Sequence, residues 1–498
     1  VSVAPPARPT AIVLGAGFAG LSAAVELADA GFAVIVLEKA PRAGGRASSF
    51  DDRTSGERVD NGQHLLIAGY RNTRAFLEKI GAARDLFLQG ALSVRFFERG
   101  GRSFDFRAAR GLPAPFHLLA AFLRHPLLSP AEKAAAARAV SSILCMDEPR
   151  LRAVEPLRFD AWLAAHGQSR RLVEVFWDVV ALATINAPSH AISAYPILKV
   201  LRLGFFSSAR AGRLAYPAVA LSDFYAERAA AYLRSRGGDV RLRERVRAIE
   251  RAPDGRARAA VLEGGGRAEA TLFVSALPFR ALAAIAPDLV PAGLRPSPIV
   301  GVHLWLDREV LDAPFAALLG APTAQWVWNR RRMLRGGKAR GGLLSVTISG
   351  AEEALGLVPH EIEARVLADL CEFLPAAREA RIERALTIKE PHATLWLEPG
   401  TEARRPGPRT RVPNLFLAGD WTATGLPSTI EGAVISGLRA VEEATGRRLV
   451  RPLEALEDFP ARAMKRLSRI AAALFYGRRS RIERRISANL RLANGGDA

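Results

Sequence analysis

Apolar positions fall into two rhythms along the first forty residues. The unbroken run Ala11-Ile12-Val13-Leu14 predicts a strand buried on both faces, and Ala33-Val34-Ile35-Val36-Leu37 predicts a second. Between them Leu21, Ala24, Val25 and Leu27 recur at helical spacing, and Asp29-Ala30-Gly31 ends the helix with glycine at the cap. Thr10 to Arg46 is therefore one β-α-β unit. The first turn reads Gly15-Ala16-Gly17-Phe18-Ala19-Gly20. Gly15 permits a tight turn, Gly17 lets the backbone approach a pyrophosphate, and Gly20 lets helix pack on strand. The helix N-terminus, from Phe18 and Ala19 onward, then faces phosphates. Glu38, followed by Lys39, closes the second strand about 20 residues past the glycines, where an acid accepts hydrogen bonds from ribose hydroxyls. With all these parts in register, the unit binds a dinucleotide.

Further along, Tyr70 to Ile80 reads as a helix and Leu92 to Phe106 as a hairpin turning at Arg99-Gly100-Gly101. Phe116, Leu119, Ala120 and Leu123 sit at helical spacing, Pro126 breaks the pattern, and Ser129-Pro130-Ala131-Glu132 caps an Ala-rich helix. The apolar stretch Leu112 to Leu128 is either core or the mouth of a channel for a lipid substrate. Arg158 to Phe206 is helical, and Leu221 to Arg236 is an amphipathic helix leading through Gly237-Gly238 to strands at Asp239 to Leu242 and Arg245 to Ile249. Strands follow at Thr271 to Ser275, Ile299 to Leu306, Gln325 to Trp328, Leu343 to Ser349 and Arg381 to Ile388, with a helix from Glu361 to Leu374. Asn414 to Leu417 is a buried strand running into Gly419-Asp420, and a helix begins near Ser428.

A length of 498 residues calls for two or three domains. Cys145 and Cys371 stand far apart, so neither a disulfide framework nor a zinc site is indicated, and the histidines show no metal-ligand spacing. Residues Val1 to Thr10 are Pro-rich and lack an apolar core, so a cytoplasmic setting is expected. The longest uncharged run, Val179 to Leu198, is interrupted by Asn186, Pro188, His190 and Pro196, unlike a membrane span. The formal charge of +20 rests on 63 arginines and 7 lysines without any nucleic-acid module, so nucleic acid is not the expected partner.

Arg42-Ala43-Gly44-Gly45-Arg46 resembles the glycine and arginine element that wraps the FAD pyrophosphate in the flavin amine oxidase and phytoene desaturase superfamily. The strand reaching Val246-x-x-Ile249 resembles that superfamily's return to the FAD domain, where the valine backbone contacts adenine. Gly419-Asp420, with Thr429 and Ile430 opening the following helix, resembles its C-terminal flavin segment. Within the superfamily, Phe176-Trp177, Thr184-Ile185-Asn186-Ala187-Pro188 and Gly425-Leu426-Pro427-Ser428-Thr429-Ile430-Glu431-Gly432-Ala433 are most similar to bacterial hydroxysqualene dehydroxylases, with a departure at Ile185. The resemblance implies an α/β fold: a Rossmann-like FAD-binding domain with a parallel sheet, an inserted mixed α+β substrate domain and a helical C-terminal tail. The expected boundaries are 1–75, 215–285 and 395–450 for the FAD domain, 76–214 and 286–394 for the substrate domain, and 451–498 for the tail.

It also implies FAD as cofactor and a long apolar isoprenoid as substrate. Hydride from reduced flavin would replace the allylic hydroxyl of hydroxysqualene and give squalene for hopanoid synthesis, with an unidentified electron donor. A carotenoid desaturase uses the same fold in the oxidative direction. An amine oxidase fits less well, because the Thr429-Ile430-Glu431 turn has threonine where those enzymes carry a flavin-facing tyrosine. A prenyl-binding protein without cofactor is opposed by Gly15, Gly17, Gly20, Glu38 and Arg46. The segment Asp60-Asn61-Gly62-Gln63-His64 passes beside the flavin in the superfamily, so Gly62, Gln63 and His64 are cofactor contacts and Asp60 and His64 the candidate acids. Read without the resemblance, Asp60 and His64 are a turn former and a satisfied polar residue.

The tail pairs Met464, Leu467, Ile470, Ala471, Leu474 and Phe475 with Arg462, Lys465, Arg466 and Arg469, and Ile482, Ile486 and Leu490 repeat the pattern. It either packs on the domain or lies on the inner face of the cytoplasmic membrane.

Overall fold

The computed structural model describes residues 8–336 and 341–475. Strands β1 (Thr10–Leu14) and β2 (Ala33–Glu38) pair in parallel, Ala11 opposite Val34 and Val13 opposite Val36. Asp239–Leu242 adds outside β2, while Leu272–Ser275 and then Leu415–Leu417 add beyond β1, completing a five-stranded parallel sheet. The central strands read as nearly continuous apolar runs, Ala11 to Leu14, Ala33 to Leu37 and Leu272 to Val274, because both faces are covered. Ala11, Val13, Val34 and Val36 meet helix α1 (Phe18–Asp29) and the helix Ile430–Thr445. The alternate residues Ile12, Leu14 and Leu37 join a larger core that contains Trp162 and Trp177 of the helical region.

A second, seven-stranded sheet runs in the order 382–395, 296–306, 342–349, 326–329, 315–318, 93–97, 103–107. All its pairs are antiparallel except 315–318 with 93–97, so the sheet is mixed. On one face Val300, Val302 and Leu304 pack on Ile362, Val366 and Phe373 of the helix Pro359–Phe373. The opposite face is aromatic: Phe315, Trp326 and Trp328 stand against Phe122, Phe176 and Phe205 of the helical region. The last strand, expected to stop at Ile388, continues to Leu395 because its partner Pro296–Leu306 offers pairing along its whole length.

The expected hairpin forms between Ser93–Phe97 and Ser103–Arg107, and Ser129 with Glu132 makes a reciprocal capping box at the helix Pro130–Cys145. The Thr184 to Pro188 turn works through Asn186, whose backbone is left-handed with φ 61° and whose side chain donates to Ser297 Oγ at 3.0 Å and accepts from Gly350 N at 2.9 Å. Asparagine tolerates this conformation and its amide ties the helical region to the second sheet.

The tail forms the helix Phe459–Phe475, and its apolar face divides: Met464 packs against the large core, whereas Leu467 is 66% exposed. The second pattern, from Ile482 to Leu490, lies outside the described residues. Among the described residues no helix is long and apolar enough to cross a membrane.

Candidate functional site

The glycine turn separates two jobs that look alike in sequence. A Cβ on Gly20 would lie 1.9 Å from Gly15 O, so this glycine is required by the packing of helix on strand. A Cβ on Gly17 would meet nothing within 4 Å, so the space beside it belongs to no protein atom. Gly17 is the N-cap of α1 and no side chain caps the helix, which leaves the first-turn N–H groups facing that space. The Phe18 side chain points the other way and stacks on Tyr225 with ring centroids 3.6 Å apart; only its backbone serves the turn. Tyr225 in turn donates from its hydroxyl to Gly44 O at 2.6 Å, so the ring pair ties the first turn to the Gly44-Gly45 turn.

Glu38 is buried, and each carboxylate oxygen accepts one backbone N–H, Oε2 from Ala16 and Oε1 from Ala40, both at 2.9 Å. A carboxylate oxygen accepts more than one bond, so both retain capacity for a ribose hydroxyl. Lys39 is exposed. Glu244 N donates to Glu38 O at 2.9 Å, which brings the chain leading into Val246 against the end of β2. These groups form the adenosine end of the site.

At the other end Gly419 has φ +126°, a conformation open to glycine, and its N–H donates to Ser436 Oγ at 2.7 Å. The turn presents Asp420, which forms an ion pair with Arg46. Arg46 also reaches Ala393 O, so its guanidinium joins the Gly44-Gly45 turn to the C-terminal segment and to the second sheet. Thr429 caps the helix Ile430–Thr445, its hydroxyl accepting from Gly432 N at 3.1 Å, and this N-terminus carries the positive end of a 16-residue helix dipole.

Strands β3 (Ser49–Asp51) and β4 (Arg58–Asp60) deliver Gly62, Gln63 and His64 into the same region. Gln63 Nε2 is buried without a protein hydrogen-bond partner, which leaves this donor free for an acceptor on a bound group. His64 Nδ1 lies 3.1 Å from Gly62 O. A carbonyl only accepts, so Nδ1 carries the proton and Nε2 of the neutral ring is an acceptor. Burial pushes the His64 pKa below its usual value, against a smaller opposing pull from the Gly62 bond and from Asp60.

Asp60 occupies a different environment from the one expected of an acid. It is buried, Oδ1 accepts from Ser49 Oγ at 2.7 Å and from Leu221 N at 2.9 Å, and Oδ2 is ion-paired with buried Arg330. With both oxygens committed and a guanidinium beside it, the carboxylate fits the role of an anchor between β4 and the second sheet, and a proton donor does not fit there. Arg330 was not legible as its partner: one arginine among 63, distant in sequence, carries no signal. Glu431 has a structural post as well. It is fully buried and accepts from Asn72 N, Asn72 Nδ2, Thr73 N and Thr73 Oγ1, capping helix α2 (Arg71–Lys79) from another helix. Burial pushes its pKa up, and the four donors oppose that by favouring the carboxylate.

Open space at Gly17, an uncapped helix, an acid at the end of β2 and an orphan donor at Gln63 fit FAD extended from Glu38 to the Thr429 turn. Among the described residues no cluster of histidine, cysteine and acidic residues could hold a metal ion.

Known proteins agree with this assignment. Over 456 residues the chain is 31% identical to a hydroxysqualene dehydroxylase of Sinorhizobium fredii, covering 87% of this chain and 97% of that protein. It is 27% identical to a probable zeta-carotene desaturase of Synechococcus elongatus, covering 86% and 97%. The crystal structure of an oxidoreductase from Methanosarcina mazei superposes with a TM-score of 0.67 at 18% identity, over 87% of this chain and all of that one, and so shares the fold. The family profile described as flavin containing amine oxidoreductase matches residues 18–445. The chain belongs to that family and is an FAD-dependent oxidoreductase.

Proposed function

We propose that this protein removes the allylic hydroxyl of hydroxysqualene and yields squalene for hopanoid synthesis. The observation that carries the reading is 31% identity to a hydroxysqualene dehydroxylase over 97% of that relative, against 27% to the zeta-carotene desaturase over an equal share. The aromatic face built by Phe315, Trp326 and Trp328 supports it, because a long isoprenoid requires an apolar, water-excluding wall. Reduced FAD supplies the hydride, from N5. The C–O bond breaks, its oxygen takes a proton and leaves as water, and a C–H bond forms at the same carbon. The chain's own residues hold the flavin, exclude water and deliver the proton.

His64 is the residue we assign to proton delivery. Because its Nδ1–H is engaged by Gly62 O, it donates from Nε2 only as the imidazolium. Turnover should then fall as pH rises through the lowered pKa of His64, since the protonated fraction is lost above it. His64→Gln should lower turnover about 100-fold or more and abolish that pH limb while FAD content stays intact. Unchanged turnover in the variant removes His64 from the role.

The second reading, desaturation of a carotenoid, is favoured by the Synechococcus relative. Anaerobic incubation of the reduced enzyme with hydroxysqualene, read by mass spectrometry, separates the two. Squalene is expected. No product there, with oxidised enzyme introducing double bonds into phytoene or zeta-carotene, overturns the first reading. The reductive reaction draws its electrons from a separate donor, whereas desaturation hands them to a separate acceptor. We further propose that the enzyme works at the inner face of the cytoplasmic membrane, where such a substrate dissolves.

A further inference from the structure

Six of the nine large apolar side chains exposed among the described residues lie in two segments. Leu112, Phe116, Leu119 and Leu123 are each about half exposed, and Phe459 and Leu467 are 75% and 66% exposed. Phe116, Leu119 and Leu123 follow helical spacing, so this short helical stretch turns an apolar face outward, the reverse of an ordinary surface helix. Clustering of this kind marks an interaction surface, where single exposed side chains would not.

Hydrogen bonds bring the two segments to one side of the molecule. Asp458 Oδ2 accepts from Ala114 N at 2.8 Å and from Ala209 N at 3.0 Å, and Asp458 N donates to Ser207 O at 2.7 Å. The start of the helix Phe459–Phe475 is thereby fixed beside residues 112–116. The helix Pro130–Cys145 touches both: it packs against Phe459–Phe475, and Lys133 Nζ donates to Leu123 O at 2.6 Å. Arg124, Arg462 and Arg466 are exposed within the same segments.

The inner side of residues 116–123 faces the aromatic face of the second sheet. Leu118 and Phe122 pack against the aromatic cluster that includes Trp326 and Trp328, and Phe122 meets Phe176 edge-on with centroids 5.3 Å apart. One short helical stretch thus separates the outer apolar surface from the aromatic wall.

We propose that Leu112 to Leu123 and the outer face of Phe459 to Leu467 form a single membrane-docking surface that seats in an anionic bilayer, with residues 116–123 at the substrate entrance. The proposal rests on the isoprenoid reading for the purpose of the entrance, and on exposure and charge for the docking. Charge complementarity selects the occupant. A second copy on a twofold axis would oppose Arg124, Arg462 and Arg466 to themselves, whereas anionic headgroups neutralise them.

The test is sedimentation of the full-length flavoprotein with vesicles of phosphatidylcholine containing roughly a quarter phosphatidylglycerol, alongside the double variant Leu119→Glu/Leu123→Glu. Both side chains are exposed, so the variant should fold and keep its FAD absorbance. We expect its partition to vesicles to fall at least about 10-fold, with FAD content and circular dichroism unchanged. Equal partition of variant and wild type overturns the proposal, as does a wild type that stays in the supernatant. Hydrogen exchange of residues 116–123 supplies the control: slowing should appear only with vesicles. A dimer mass in light scattering in the absence of vesicles would mean that a second copy covers the face, and would overturn the proposal too. Vesicle binding without hydroxysqualene turnover in the wild type would refute the proposed reaction and leave the docking surface standing.

Discussion

Replacing Gly17 by valine should give a folded protein that carries no FAD. The backbone at Gly17 has φ −84° and ψ −175°, extended geometry that valine adopts without strain, and its Cβ would meet no protein atom. What the side chain would fill is the space kept for the pyrophosphate, against the first turn of α1. FAD affinity should fall at least about 100-fold, equivalent to ~2.7 kcal/mol. Absorbance of the purified protein reports the loss, and circular dichroism should match that of wild type stripped of FAD. A yellow Gly17→Val protein would refute the placement. Gly20→Val behaves differently: with Gly15 O only 1.9 Å from the added Cβ, the strand and helix must separate and the protein itself fails.

The second large effect belongs to Arg330. Its guanidinium and the Asp60 carboxylate are both almost completely buried, with side chains 6% and 3% exposed. Arg330→Met leaves the carboxylate uncompensated in a medium that solvates charge poorly, a loss of about 3–5 kcal/mol for a pair of this kind. Asp60→Asn strands the guanidinium in the same way. Combined, the two substitutions remove both charges, so the double variant should be more stable than the sum of the single losses requires. Chemical denaturation of all three, each stripped of FAD, measures this. Strictly additive losses would show that Asp60 and Arg330 do not stabilise as a pair. The result also bears on chemistry: an anchoring Asp60 predicts similar turnover losses for Arg330→Met and Asp60→Asn, whereas a proton-donating Asp60 predicts a far larger loss in the asparagine variant.

How much of this was legible in the chain depended on sequence distance. The β-α-β unit could be read because its constraints are local: two apolar runs, a helical period and three glycines within a few tens of residues, closed by Glu38. The C-terminal segment was readable through resemblance, since Gly419-Asp420 and the Thr429 turn have a recognisable wording. Arg330, Tyr225 and the donors to Glu431 were not readable, because each acts through a partner more than a hundred positions away. The tail shows the same limit. Periodicity placed Met464 and Leu467 on one face, but the core against which Met464 packs is assembled from elsewhere in the chain, and only the fold could divide that face.

The parallel sheet takes its strands from residues 10–38, 239–242, 272–275 and 415–417, and this order has a consequence in time. At a synthesis rate of ~5–20 residues per second, the last strand leaves the ribosome roughly 20–80 s after the first. Until it arrives, Leu272–Ser275 is an open apolar edge, and Arg46 has no Asp420 to pair with. FAD capture is therefore an event of the finished chain. Its precursor spends that interval with an unpaired strand edge exposed, which is when chaperone protection matters most.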